Sequence, residues 1–130
     1  NIIATYQGNG EIGPRALGNR SILMDPTLPN AKEKINLIKK RESYRPFAPA
    51  VIDEKKHLYF EISKKDQFNY MEKVVKVKKN YQKKLQAITH LDGSARVQTV
   101  DKKLYCISTF EKHCVFNFLK ISGFNLDFTL

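Results

Sequence analysis

A glycine- and arginine-rich segment near the start of the chain constrains its fold more than any other stretch. Residues 11–21 read EIGPRALGNRS and combine two glycines, two arginines and a proline. This composition favours a turn-rich loop that presents backbone N–H groups and two guanidinium forks, both of which suit an anionic ligand. The alternative is a surface loop that merely carries arginines. The short apolar run before it, Asn1–Tyr6, predicts a buried strand that leads into the loop.

The net charge of the chain points to an anionic partner. Its 130 residues carry 23 Lys and Arg against 13 Asp and Glu, for a formal net charge of +10. A nucleotide, a phosphorylated metabolite, nucleic acid or an acidic lipid would each suit this charge. Charge alone does not choose among them, because the lysine runs at 32–41 and 73–84 are typical of solvated faces.

Length and residue usage favour a single domain, residues 1–130, in a reducing compartment. Cys106 and Cys114 lack the spacing of a zinc site, so we expect reduced thiols and no metal ligand. There is no signal peptide and no uncharged apolar run of membrane-spanning length, which predicts a cytoplasmic location and no membrane partner. The start at Asn1, without a methionine, indicates a piece of a longer protein.

The pattern of residues 30–41 predicts a helix. Asn30 and Glu33 have the spacing of a capping box, and the basic residues 39–41 suit the last turn. The predicted apolar face of this helix consists of Ala31, Ile35 and Ile38. Further along, the lysine-rich residues 61–84 are weakly patterned and predict a mobile excursion.

Three further runs predict strands, and with the helix they indicate a mixed α/β fold. Phe47–Ile52 is interrupted by Pro49, which favours a position at the edge of a sheet. Residues 85–91 and 95–100 alternate between apolar and polar side chains. The Asp92-Gly93 pair between these two runs predicts a β-hairpin.

Three basic, turn-associated patches are candidate binding sites. They cover residues 13–21, 40–49 and 89–98 and carry arginines next to glycine, proline or an aromatic residue. The sequence contains no P-loop, dinucleotide-binding fingerprint or serine-hydrolase elbow. Any phosphate site must therefore be built from these patches in another way.

Together the patches resemble one family, the C-terminal domain of the O-carbamoyltransferases that act in nodulation, cephalosporin and tobramycin synthesis. The motifs that carry the resemblance are GPRALGNRS at 13–21, KKRESYRPFAPAV at 39–51 and HLDGSARVQTV at 90–100. Their order and spacing are similar to those of the family over residues 7–110. The resemblance implies a YrdC-like fold, a twisted open mixed sheet with flanking helices around a basic cavity.

The resemblance also implies an activity. In this family the C-terminal domain binds carbamoyl phosphate and ATP and forms carbamoyladenylate, and a separate N-terminal domain of actin-like ATPase fold transfers the carbamoyl group to an acceptor hydroxyl. ATP with Mg²⁺ is then a co-substrate, and no tightly bound cofactor is implied. Bringing two anionic substrates together mainly requires positioning and charge neutralisation, which the arginine-rich patches suit.

The resemblance places the functional residues in the three patches. The implied catalytic residues are Arg15, Arg20, Arg45 and His90. The implied ligands of carbamoyl phosphate and ATP are Gly13, Arg15, Gly18, Arg20, Ser21, Lys40, Arg41, Arg45, Asp92, Arg96 and Gln98. In the first patch, the guanidinium groups and the backbone around Gly18 and Ser21 are expected to hold phosphate oxygens.

Structural roles stay open for several of these residues. Arg20 and Arg41 alternatively form surface ion pairs with nearby acids such as Glu11 or Glu42. We expect Glu42 to fix Arg45 rather than to take part in catalysis. His90 is alternatively a half-buried histidine with a structural partner.

The resemblance fades after Phe110, and the tail at 111–130 diverges from the family. This divergence leaves open whether the sheet lacks a C-terminal strand. It also leaves two alternative functions, a catalytically inactive remnant of the same domain and a basic RNA-binding module.

Overall fold

The structure, a computed structural model, describes residues 2–101 and the backbone of residues 118–121. Its strands are β1 (Ile2–Tyr6), β2 (Arg20–Met24), β3 (Ala48–Ile52), β4 (Val74–Lys76), β5 (Ser94–Arg96), β6 (Gln98–Val100) and β7 (Phe118–Ile121). Its helices are α1 (Ala31–Ile38), the 3₁₀ turn Asp53–Lys55, α2 (Lys56–Tyr59) and α3 (Lys79–Gln82). These elements confirm the mixed α/β class, while the YrdC-like arrangement remains a prediction.

Five strands form the main sheet in the order β1-β2-β7-β3-β6, and β4 and β5 form a separate pair. β1 and β2 run antiparallel, with Thr5 opposite Ser21. β7 lies antiparallel between β2 and β3. β3 and β6 run parallel, with Ala50 opposite Gln98. The sheet is therefore mixed, as the sequence predicts.

β1 is the outer strand of the main sheet and is not buried. Its residues alternate between exposed and half-buried positions, and Tyr6 is 75% exposed. The predicted strand is thus confirmed from Ile2, but its predicted burial is wrong. The physical reason is that, among the described strands, β1 has a neighbour on one side only.

β3 lies inside the main sheet although it contains Pro49. It has β7 on one side and β6 on the other, so the predicted edge position is wrong. The parallel pairing of β3 with β6 begins only at Ala50. Pro49 therefore lies outside the hydrogen bonds between β3 and β6, where its lack of a backbone N–H costs no bond. Because β7 comes from residues 118–121, the tail contributes a strand to the centre of the sheet.

The predicted helix is present, but it begins and packs differently from the prediction. Asn30 has a left-handed backbone, with φ at 57°, and its side chain makes no capping hydrogen bond, so the capping box does not form. Ile35 is fully buried and Ile38 is 42% exposed, while Asn36 is fully buried beside Ile35. Among the described helices, none is long and apolar enough to cross a membrane.

The turn at Asp92-Gly93 is present, but the predicted hairpin is wrong. His90 N–H donates to the Ser94 carbonyl at 2.7 Å and closes the turn. Residues 85–91 do not form a strand, because Thr89 N–H donates to the Leu85 carbonyl at 3.1 Å in a helical turn. β5 pairs instead with β4.

Residues 61–84 are part of the packed structure and not an excursion from it. They supply β4 and α3, and Phe68, Met71 and Val77 are buried. Phe68 N–H donates to the Thr99 hydroxyl at 2.8 Å, which holds this segment against β6. The lysines alternate with these anchors along the sequence, which hides the apolar pattern.

A hydrophobic core gathers side chains from β2, α1, β3, α2 and the segment 77–97. Its buried members are Ile22, Met24, Ala31, Ile35, Phe47, Val51, Tyr59, Phe60, Val77, Leu85, Ala87, Ile88, Ala95 and Val97. Ala95 and Val97 are fully buried. Because successive side chains of an extended chain point to opposite faces, Ser94, Arg96 and Gln98 share the other face.

Candidate functional site

Gln98 of β6 holds the arginine-rich loop in place. Gln98 is buried, and its Nε2 donates to the carbonyl of Leu17 at 3.0 Å and to that of Asn69 at 2.9 Å. The loop at 13–21 is thereby fastened onto β6, which follows the strand that carries Arg96. The first and third sequence patches are therefore in contact.

Across this contact, Arg15 lies within range for its charge to act on Arg96. Burial, and then the positive charge of Arg15, lower the pKa of Arg96 below its usual value. The Arg96 Nε atom is buried and has no hydrogen-bond partner among the described residues. Two adjacent guanidinium groups with an unpaired buried donor form an arrangement that an anion would neutralise and hydrogen-bond.

The loop itself is organised around the carboxylate of Glu11. Glu11 Oε1 accepts from the backbone N–H of Leu17 at 2.9 Å and of Asn19 at 3.0 Å, and Oε2 accepts from that of Arg20 at 3.3 Å. The ion-pair alternative for Arg20 is therefore wrong, since Glu11 contacts its backbone and not its guanidinium. A carboxylate from the chain occupies N–H groups that the sequence interpretation left for a ligand.

Other donors and acceptors of the loop are also used internally. Thr5 Oγ1 donates to the Gly18 carbonyl at 2.9 Å and accepts the N–H of Ser21 at 3.1 Å. Gly13 and Gly18 have φ values of 126° and 132°, which non-glycine residues rarely adopt. The Ser21 hydroxyl, by contrast, is buried without a hydrogen-bond partner among the described residues. A phosphate role for Ser21 and for the nearby backbone stays a prediction.

Arg20 folds the loop against β1. Its Nη1 donates to the carbonyl of Gln7 at 2.8 Å and to that of Asn9 at 3.3 Å. Its guanidinium carbon lies 3.8 Å from the centre of the Tyr6 ring, which is a cation–π contact. These contacts give Arg20 a structural role, and its implied catalytic role is untested.

The second patch is organised by Asn36 of α1. Asn36 Nδ2 donates to the carbonyls of Ser43 and Arg45, both at 3.0 Å. Its Oδ1 accepts from Arg41 Nε at 2.6 Å. The Arg41 guanidinium also lies 4.6 Å from the centre of the Phe47 ring. A buried amide therefore fixes both the loop and the arginine that the sequence motif contains.

Charges in the second patch act on one another. Glu42 and Arg45 form an ion pair at 2.8 Å, as predicted, and both side chains are about half exposed. Burial, and then the charge of Arg45, lower the pKa of Arg41, while Glu42 partly offsets this effect. Burial and the charge of Arg41 lower the pKa of Lys39 to about 8. Lys40 is exposed and has a left-handed backbone.

The described residues therefore hold two basic clusters. Arg15 is the charge that acts on Arg96, and Arg41 is influenced by Arg45 and Glu42. We call these the strand cluster (Arg15 and Arg96) and the helix cluster (Arg41 and Arg45). The structure joins the first patch to the third directly, and it gives the second patch a separate scaffold in Asn36.

The third patch contains a chain of hydrogen bonds at the Asp92-Gly93 turn. Ser94 Oγ donates to Asp92 Oδ1 at 2.6 Å and lies 3.2 Å from His90 Nδ1. Lys76 Nζ donates to the backbone carbonyl of Asp92 at 2.7 Å and lies 3.2 Å from its Oδ2. Hydrogen bonds from Ser94, followed by that from Lys76, hold the pKa of Asp92 well below its usual range.

A cavity of about 490 Å³ lies beside Gln98 and has an acidic lining. Its charged lining residues are Asp53, Glu54 and Asp101. Behind them, Lys56 is fully buried and donates to Asp53 at 2.7 Å. The negative charge makes this cavity a poor site for phosphate, and Gln98 is the one implied ligand in its lining.

Sequence reasoning missed the residues that hold the site together. Asn36, Thr5 and Glu11 each make two or more of the hydrogen bonds described above. Asn36 follows Ile35, a residue of the predicted apolar face of the helix. This position next to a buried residue was the sequence feature that could have indicated Asn36. The partners of Thr5 lie 13 and 16 residues away along the chain, so no local pattern indicates them.

Fold and site define a mixed α/β domain with two clusters of arginines. Residues 1–127 match the family described as Carbamoyltransferase C-terminus. The chain therefore belongs to the carbamoyltransferase C-terminal family, as its motifs indicate. The match extends into the tail at 111–130.

Several nodulation proteins are similar to the chain. Over 79% of the length of the present chain, it is 48% identical to nodulation protein NolNO of Sinorhizobium fredii. It is 44% identical to nodulation protein NolO of Bradyrhizobium diazoefficiens over 95% of its length, and 41% identical to nodulation protein U of S. fredii over 77%. The chain spans only 15%, 24% and 18% of these relatives, which are larger proteins.

Proposed function

We propose that this domain binds carbamoyl phosphate and Mg-ATP and forms carbamoyladenylate as one part of a carbamoyltransferase. The overall reaction converts carbamoyl phosphate, ATP and water into carbamoyladenylate, phosphate and pyrophosphate. The remainder of a longer protein, in a domain of actin-like ATPase fold, would then transfer the carbamoyl group to an acceptor hydroxyl. Family membership and the greater length of the relatives support this division of labour.

The observation that carries the proposal is the strand cluster. Burial, and then repulsion from the charge of Arg15, lower the pKa of Arg96, and the Arg96 Nε is buried without a partner among the described residues. A phosphate dianion between the two groups would remove the repulsion and satisfy the donor. We assign the phosphate of carbamoyl phosphate to this cluster.

The helix cluster supplies a second anion site. Arg41 is held in one orientation by Asn36 and Phe47, and Arg45 lies close enough to influence its pKa. A triphosphate carries more charge than one pair of arginines offsets, so two clusters suit two phosphorylated substrates. We assign the polyphosphate of Mg-ATP to this second cluster, with Mg²⁺ bound chiefly by the nucleotide.

Thermal unfolding with each substrate tests the proposal. A ligand at 100 times its dissociation constant adds about 2.7 kcal/mol of stability, so carbamoyl phosphate should raise the unfolding midpoint measurably. Arg15→Ala should weaken carbamoyl phosphate binding by about 2–5 kcal/mol, because it removes one partner of a charged contact. Pyrophosphate release from mixtures of both substrates then reports the reaction itself.

Lys64→Ala provides the control for charge, since Lys64 is an exposed lysine outside both clusters. This variant should bind carbamoyl phosphate as the unchanged protein does. Equal binding by the Arg15→Ala variant would contradict the assignment of the strand cluster. A cooperatively folded protein that responds to neither substrate would contradict the proposed function.

A further inference from the structure

We propose that His90 accepts a hydrogen bond from the amide of the bound substrate through an unprotonated Nε2, and so selects a carbamoyl group over an acetyl group. This inference rests on the proposed function and extends it to substrate specificity. It is derived from the positions of protons in the Asp92–Ser94–His90 chain and from the place of that chain beside the strand cluster.

The hydroxyl proton of Ser94 lies between Ser94 and Asp92. Ser94 Oγ and Asp92 Oδ1 are 2.6 Å apart, which requires a proton between the two oxygens. Asp92 is ionised, because it also accepts the Ser94 N–H at 3.1 Å and lies 3.2 Å from the ammonium of Lys76. An ionised carboxylate only accepts, so the proton is the one that Ser94 donates.

The second step assigns the tautomer of His90. Ser94 Oγ lies 3.2 Å from His90 Nδ1, and its single proton is already directed to Asp92. The hydroxyl oxygen can therefore only accept, so Nδ1 carries the hydrogen of this contact. A neutral imidazole has one N–H, which leaves Nε2 with a free lone pair.

The third step places His90 beside the anion site. Ser94 and Arg96 are two residues apart on β5, so their side chains leave the same face at a spacing of about 7 Å. Gln98, two residues beyond Arg96, donates to the carbonyl of Leu17 at 3.0 Å, and Leu17 lies two residues from Arg15 in the loop. A ligand whose phosphate occupies the strand cluster can therefore extend its other end toward the His90 ring.

The chemistry of that other end decides the specificity. An unprotonated nitrogen attracts an N–H donor, and it offers no bond to a methyl group or to an ionised oxygen. Carbamoyl phosphate carries an NH₂ group where acetyl phosphate carries a methyl group, and the two are otherwise nearly isosteric. The site thus pairs guanidinium donors with the phosphate and an acceptor with the amide.

Nitrogen NMR of the histidine rings tests the tautomer directly. Spectra are recorded near pH 8, where an ordinary imidazole is neutral, and His57→Ala helps to assign the His90 signals. We expect the Nδ1–H form for His90 in the unchanged protein and a shift toward the other tautomer in Ser94→Ala. A predominant Nε2–H form in the unchanged protein would overturn the proposal.

Binding of carbamoyl phosphate and acetyl phosphate tests the specificity. One hydrogen bond predicts a preference for carbamoyl phosphate of about threefold to tenfold. His90→Ala should abolish this preference while both compounds still bind, Ser94→Ala should reduce it, and His57→Ala should leave it intact. Ser94→Ala changes one small side chain, so it provides the test if His90→Ala fails to fold.

The outcomes separate this inference from the proposed function. Equal affinity of the unchanged protein for both compounds overturns the role of His90 and leaves the phosphate site standing. Binding of neither compound overturns the proposed function and this inference with it. If the His90→Ala variant still prefers carbamoyl phosphate over acetyl phosphate, another group binds the amide, and the assignment of His90 is overturned.

Discussion

At the scale of single residues, the carboxylate of Glu11 holds three backbone N–H groups of the arginine-rich loop. Glu11 is half-buried, and each of these bonds is charge-assisted. A charge-assisted hydrogen bond is stronger than a neutral one and orders the groups that make it. We therefore expect Glu11 to set the shape of the loop on which Arg15 lies.

Glu11→Ala should lower the free energy of unfolding by about 1.5–3 kcal/mol, because it removes a charged acceptor from donors that fold around it. Denaturant unfolding measures this loss. Added formate should restore part of the stability, since a free carboxylate can enter the emptied N–H cradle.

The matched control is Glu61→Ala, which removes an exposed carboxylate. That variant should lose little stability and should not respond to formate. Unchanged stability in Glu11→Ala would show that the loop does not depend on its carboxylate.

At the scale of elements, α1 serves the site through Asn36, which bonds to the loop at 43–45 and to Arg41. Asn36 is fully buried. Its three hydrogen bonds take the place of the stabilisation that burial of an apolar side chain would provide at this position of the helix. The helix therefore acts as the support of the helix cluster.

Asn36→Ala should destabilise the protein by about 1–3 kcal/mol, because it removes the three hydrogen bonds of a fully buried side chain. It should also weaken Mg-ATP binding more than carbamoyl phosphate binding, since Arg41 loses its positioning contact. Isothermal titration with each substrate compares the two effects. Equal weakening for both substrates would contradict the separate roles of the two clusters.

The elements were predictable where a local pattern determines them and not where a distant partner does. The apolar run at 2–6 and the turn at Asp92-Gly93 follow from local composition, and both are present. Residues 85–91 fit two periods, and the burial of Leu85 and Ile88, three residues apart, decides for a helical turn. The strand that pairs with β5 comes from 74–76, and nothing in the local sequence shows that choice.

The candidate site was likewise predictable where local sequence determines it, and not where distant chain segments meet. The three motifs identify the candidate arginines, because their residue types and spacing can be read directly from the sequence. That Gln98 fastens the first patch to the third depends on the folding of chain segments 81 residues apart. The sequence therefore names most candidate ligands, and the structure supplies their grouping into two clusters.

At the scale of the whole molecule, the net charge of +10 attracts any polyanion. Non-specific nucleic-acid binding that involves several phosphate contacts weakens by orders of magnitude between about 50 and 200 mM salt. A shaped site for a small phosphate depends less on long-range charge. Salt dependence therefore separates the proposed function from an RNA-binding role.

We expect binding of a single-stranded RNA to decline steeply with added potassium chloride, while carbamoyl phosphate binding changes far less. Fluorescence anisotropy and titration calorimetry measure the two. A neutralising change in the exposed lysine run, such as Lys73→Gln with Lys79→Gln, should weaken only the RNA. RNA binding that persists at high salt and competes with carbamoyl phosphate would favour the RNA-binding alternative.

The position of β7 affects how the chain folds while it is being synthesised. This strand is the last described element in the sequence, yet it lies between β2 and β3. Until residues 118–121 have left the ribosome, β2 and β3 have no shared neighbour and each keeps an open edge. The main sheet can therefore close only after residues 118–121 have been synthesised, and a nascent chain that lacks these residues exposes edges on which other chains can add.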